Sequence, residues 1–105
     1  MSNQSPRIAC LCGSTRFKDE FLATQKVLTL GGWIVLSVGF FGHADGEFPT
    51  DLQKQMLDEL HLRKIDLADM VFVINVDGYI GDSTRNEIQY ARRKGVTVMF
   101  LEPPL

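Results

Sequence analysis

The chain has 105 residues, enough for one domain with one core and not for two. Its 45% hydrophobic and 23% charged residues exclude a disordered or fibrous chain. A formal net charge of −2 without a basic stripe argues against a nucleic-acid polymer as partner. The densest basic cluster, Arg92-Arg93-Lys94, instead complements a helix C-terminus.

No apolar run reaches the roughly 18–20 residues of a membrane span. The opening stretch Met1-Ser2-Asn3-Gln4-Ser5-Pro6 is polar and lacks the apolar centre of a signal peptide. The expectation is a cytoplasmic protein with no membrane partner. Cys10 and Cys12 stand two apart in an apolar run and point to one face of a strand. With no further cysteine for a disulfide or a zinc site, they read as buried, reduced thiols, and no metal site is expected.

The first predicted element is a buried strand over Arg7 to Cys12, stopped by Gly13. A helix follows over Thr15 to Leu30, with Phe17, Phe21 and Leu28 on one face and Thr24 among them, and Gly31-Gly32 end it. Trp33 to Val38 is β-branched and apolar, a second strand. Gly39 to Pro49 reads as a loop carrying His43, Asp45, Glu47 and the aromatic pair Phe40-Phe41. Thr50 and Gln53 form a capping box for the next helix, whose apolar face holds Leu52, Met56, Leu57, Leu60 and Ile65. Met70 to Val76 is a third strand, followed by a glycine-rich loop over Asp77 to Asp82. A third helix starts at Ser83 or Thr84 and runs to Lys94, Val96 to Leu101 is a fourth strand, and Glu102 to Leu105 is a tail.

Strands that read as continuous apolar runs between helices imply an α/β domain, a parallel four-stranded sheet with helices on both faces. Right-handed crossovers favour the strand order 2-1-3-4, whose switch point lies between the first and third strands. The loops after those two strands carry Gly13-Ser14-Thr15-Arg16 and Gly81-Asp82-Ser83-Thr84-Arg85. Each sets hydroxyls, backbone N–H groups and an arginine at a helix N-terminus, where an anion such as phosphate is stabilised. Ser and Thr are also ordinary helix caps. Neither a Walker motif nor a dinucleotide fingerprint is present.

Glu87 follows the second loop, where a carboxylate beside a phosphate pocket suits attack on an anomeric carbon. Thr84-x-x-Glu87 is equally a capping box. Asp77 ends the third strand beside Gly78 and reads either as a crevice residue or as a turn residue. Asp69 precedes the third strand. His61 reads as a half-buried helix histidine, and His43 as a substrate contact or a surface residue.

Three segments line up together: Gly13-Ser14-Thr15-Arg16, Ala68-Asp69-x-Val71, and Asp77-Gly78-(x)3-Asp82-Ser83-Thr84-x-x-Glu87-(x)3-Ala91. Over nearly the whole chain this pattern resembles the nucleoside 2-deoxyribosyltransferase-like superfamily, which includes the 2′-deoxynucleoside 5′-monophosphate N-hydrolases. The resemblance implies one flavodoxin-like (Rossmann-like) domain over residues 1–105. It makes Glu87 the nucleophile, and the loops at Gly13–Arg16 and Gly81–Ser83 the holders of a 5′-phosphate. Asp69 or Asp77 then positions sugar hydroxyls, and His43, His61, Asp82 and Thr84 contact substrate. The implied partner is a small nucleotide or nucleoside, in a homodimer or higher homo-oligomer, without cofactor or metal. The chain is short for a transferase, so hydrolysis is the expected reaction. It departs from the family pattern at Cys10, where tyrosine is frequent, at His61, where a sugar-contacting aspartate is frequent, and at Gly81, where the transferases carry aspartate. The alternative is a module that binds nucleotides without cleaving them.

Overall fold

The computed structural model describes residues 5–104. The polar start at Met1–Gln4 and the terminal Leu105 lie outside the described residues.

Four strands, β1 (Ile8–Gly13), β2 (Ile34–Leu36), β3 (Met70–Ile74) and β4 (Thr97–Phe100), form one parallel sheet in the order β2-β1-β3-β4. The helices are α1 (Lys18–Leu30), α2 (Gly42–Asp45), α3 (Asp51–Leu67) and α4 (Asp82–Arg93), with a 3₁₀ turn at Val76–Gly78. β1 lies between β2 and β3, with Cys10 opposite Val71 and Cys12 opposite Val73. Period-two alternation sends Leu11 to one face, where it packs with Phe21 of α1 and Ile74. The same alternation sends Cys10 and Cys12 to the other face, packed with Ile65 of α3 and with Ile88 and Ala91 of α4. The expected α/β architecture, strand order and two-sided helical cover are therefore all present. No helix among the described residues is long and apolar enough to cross a membrane.

Several element boundaries differ from expectation for local reasons. The α1 helix begins at Lys18 rather than Thr15, because Phe17 N donates to Ser14 O at 3.1 Å and closes a separate turn. β2 ends at Leu36, two residues early, and the Ser37 carbonyl accepts from Lys64 Nζ at 2.6 Å. The Gly39–Pro49 loop contains the single turn of α2, tied to α1 by a Lys18–Asp45 ion pair at 2.9 Å. The Thr50–Gln53 capping box forms as expected.

The apolar face expected for α3 is only partly used. Ile65 is buried, whereas Leu52, Met56 and Leu60 are exposed. At about 1.5 Å per residue this 17-residue helix is longer than strands of 3–6 residues, so its first turns overhang the carboxyl edge of the sheet.

Candidate functional site

A cleft of about 520 Å³ opens over the carboxyl ends of β1 and β3, where the chain leaves two neighbouring strands in opposite directions. Both Ser-Thr-Arg loops reach it. Gly13, with φ 152°, ends β1 so close to β3 that a Cβ there would stand 2.9 Å from the Ile74 carbonyl oxygen. The loop beyond it is a turn rather than a helix start. Ser14 Oγ accepts from Arg16 N at 3.3 Å and from Arg16 Nε at 3.0 Å. The Arg16 guanidinium lies 4.4 Å from the centre of the Tyr79 ring and approaches its hydroxyl at 3.4 Å. Arg16 thereby links the two loops across the cleft. Thr15 Oγ1 accepts from His43 N at 3.2 Å, which holds the α2 segment over the same opening.

The second loop differs from the first. Gly81 is the N-cap of α4, and no side chain caps that end. Thr84 therefore lies inside the first turn, and the Thr84–Glu87 capping box does not form. The Glu87 side chain instead lines the cleft together with Gly81, Asp82, Ser83 and Thr84. Arg85 pairs with Asp82 on its own helix at 3.2 Å and is not part of the lining, contrary to the expectation of an arginine from each loop. Its place beside the second loop is taken by Lys54 of α3, whose Nζ stands 3.4 Å from Ser83 Oγ.

Below Glu87 is a compact polar cluster. His61 Nε2 lies 3.9 Å from Glu87 Oε1, 3.3 Å from Cys12 Sγ and 3.7 Å from Cys10 Sγ. The cysteines, expected to lack any partner, thus have one supplied by α3. The two sulfurs and a ring nitrogen of His61 lie within 4.8 Å of one another, a set able to hold a metal. Burial is the main force on Glu87, and with the Cys10 and Asp58 charges it pushes the carboxyl up to about 7 against the pull of His61 and a hydrogen bond from Cys12. A hydrogen bond from Cys12 pulls the Cys10 thiol down to about 5 against its burial, with His61 assisting. The Cys12 thiol is pushed up by that same hydrogen bond and by its own burial. Burial disfavours the His61 cation, but its hydrogen bond to Cys10 and the Glu87 charge outweigh that and raise it.

Of the residues expected at the site, Gly13 to Arg16, His43, His61, Gly81 to Thr84 and Glu87 come together around this cleft. Two do not. Asp69 lies at the opposite, amino edge of the sheet, where its Oδ2 accepts from Ile8 N at 2.7 Å and its own N–H donates to Ile8 O. It fastens β3 to β1 and has no access to a ligand at the carboxyl edge. Asp77 is at the correct edge but outside the lining, in the 3₁₀ turn with φ 54°. Its N–H donates to Glu102 Oε2 at 2.6 Å, and Glu102 also exchanges hydrogen bonds with buried Asn75. Asp77 is thus a turn residue that docks the C-terminal tail.

Lys54, Asp58, Lys64 and Tyr79 line the cleft without having been expected there. Three of them were legible. Lys54, Asp58, His61 and Lys64 follow one another at spacings of four, three and three, a polar stripe along one face of α3. Asp58 stands one turn before His61, the position where the resemblance led to an aspartate being sought. Tyr79 carried no such signal.

The chain matches no known protein-family model, and no curated protein matches it.

Proposed function

We propose that this chain is a member of the nucleoside 2-deoxyribosyltransferase-like superfamily that hydrolyses the N-glycosidic bond of a nucleoside 5′-monophosphate, with Glu87 as nucleophile. The observation that carries this reading is the position of Glu87. Its carboxyl group lines a cleft flanked by both Ser-Thr loops and is released from helix capping by Gly81. Arg16 and Lys54, with the hydroxyls of Ser14 and Ser83, suit the 5′-phosphate. Asp58 takes the sugar hydroxyls in place of Asp69 and Asp77, and Phe40, His43 and Phe48 face the base.

In the reaction, a Glu87 carboxylate oxygen bonds to the anomeric carbon as the bond to the base nitrogen breaks. The base leaves with that electron pair and takes a proton from solvent. Water then cleaves the glycosyl ester, releasing sugar phosphate and restoring the carboxylate, with the second proton passing to solvent. Incubation with a panel of ribo- and deoxynucleoside monophosphates, followed by chromatography for free base, tests the reading. Wild type releases base from at least one nucleotide and Glu87→Gln releases it at least about a thousandfold more slowly. Equal rates, or no release from any nucleotide, refute it.

A second reading, binding without cleavage, is favoured by one observation. With its carboxyl pushed up to about 7, Glu87 is only half ionised at neutral pH. That reading requires a nucleotide-dependent rise in melting temperature without turnover. In either case we place the protein in the cytoplasm, where its buried thiols stay reduced, and we place a second copy on the exposed stripe of Leu52, Met56 and Leu60 beside the cleft.

A further inference from the structure

We propose that Cys10, Cys12 and His61 form a binding site for a zinc-like divalent cation at the floor of the cleft. The ligand atoms come from two rigid elements. β3 pairs with β1 across both cysteines and β2 pairs with it as far as Cys10, so the two thiols have fixed positions, and α3 brings the imidazole down onto them. A tetrahedral zinc ion, with bonds of about 2.3 Å to sulfur and about 2.0–2.1 Å to nitrogen, spaces sulfur and nitrogen about 3.5 Å apart. The separations of 3.3 Å and 3.7 Å straddle that value before any ion arrives.

The chemistry of the donors selects the cation. Two thiolates and an imidazole suit zinc or cobalt(II), whereas magnesium and calcium require oxygen ligands. A disulfide is the competing use of two cysteines, and β1 opposes it. Residues two apart on a strand have Cα atoms about 6.6 Å apart, near the upper limit for a disulfide, and the β3 ladder, which spans both cysteines, resists shortening. Binding displaces thiol protons to solvent.

The cluster also has an entrance. Cys10 and Cys12 are fully buried, but His61 and Glu87 both face the cleft, so an ion enters past them. Glu87 Oε1 lies 3.9 Å from His61 Nε2, and three protein ligands leave one position of a tetrahedral ion open. The site shares the cleft with the proposed reaction, but cation binding requires neither a nucleotide nor turnover, so the two fail separately.

Cobalt(II) titration of the reduced, chelator-treated protein under anaerobic conditions tests it. Expected are saturation at one cobalt per chain, a near-ultraviolet thiolate-to-cobalt charge-transfer band, and the strong visible bands of tetrahedral cobalt. Zinc then bleaches these bands and raises the melting temperature. Cys10 and Cys12 are the only cysteines in the chain, so any such charge-transfer band reports on them. Cys10→Ala, Cys12→Ala and His61→Gln each weaken cobalt binding at least about tenfold. Absence of the charge-transfer band in wild type overturns the proposal, whatever the variants do. So does wild-type cobalt affinity in a Cys10→Ala/Cys12→Ala double variant that circular dichroism shows to be folded.

Discussion

His61 Nε2 faces Glu87 Oε1 across 3.9 Å, and both side chains are almost closed to solvent, one on α3 and the other on α4. The pair places a titratable base against the carboxyl group on which the proposed chemistry depends. Around Glu87 stand Cys10 and Cys12 from β1 and Asp58 from α3, so its ionisation answers to two other elements at once.

The first consequence is kinetic. A nucleophile must be ionised, and burial holds the Glu87 carboxyl up to about 7. In metal-free, reduced protein, kcat/KM for base release therefore rises with pH and levels off above about 7, dropping tenfold per pH unit well below it. A pH–rate profile checks this. A rate that falls as pH rises through 7 makes Glu87 a proton donor instead.

The second concerns stability. The folded-state value for Glu87 lies above its unfolded value of 4.5, so the folded protein binds the extra proton. The associated stability is complete below about pH 4.5 and is lost as pH rises through about 7. Glu87→Gln, which stays neutral, escapes that loss. At pH 8 in metal-free protein the variant is the more stable, by at most about 3 kcal/mol at 1.36 kcal/mol per pKa unit. At pH 5 the difference shrinks. Thermal melts of both proteins at the two pH values measure it.

The third separates cations that face the cleft from one that does not. Arg16 and Lys54 line it, whereas Arg85 is held by Asp82. Arg16→Ala and Lys54→Ala each weaken nucleoside monophosphate binding about ten- to a hundredfold, the effect of losing a charge-assisted hydrogen bond of about 1.5–3 kcal/mol. Binding of the unphosphorylated nucleoside changes little, and Arg85→Ala leaves both unchanged. Calorimetric titration with the two ligands distinguishes these outcomes.

The fourth concerns association. Leu52, Met56 and Leu60 are spaced four apart on α3 and all exposed, an apolar stripe suited to a copy of itself. Met56→Glu places a charge in its centre. Light scattering is expected to give a dimer mass for wild type and a monomer mass for the variant, with unchanged far-ultraviolet circular dichroism.

Much of this protein was readable without coordinates. Apolar runs and glycine stops located the strands, and the parallel order followed from the handedness of their crossovers. That order brought the loops at Gly13 and Gly81 to one crevice. What the sequence by itself determined was therefore the path of the backbone, because burial periodicity and turn chemistry are local properties.

Tertiary structure alone decided which side chains meet there. His61 reaches Cys12 across 49 residues of sequence and Cys10 across 51, a contact that no local pattern encodes. Arg85 was lost to a nearer carboxylate and Lys54 arrived from another helix, since long charged side chains settle on partners presented by packing. Asp69 was assigned to the site with the family resemblance, and Asp77 by its place at the end of β3. The sheet then carried Asp69 to its far edge, while the C-terminal tail engaged Asp77. Strand direction separates the two ends of β3 by the length of the strand, and only the end that opens on the crevice can serve a ligand.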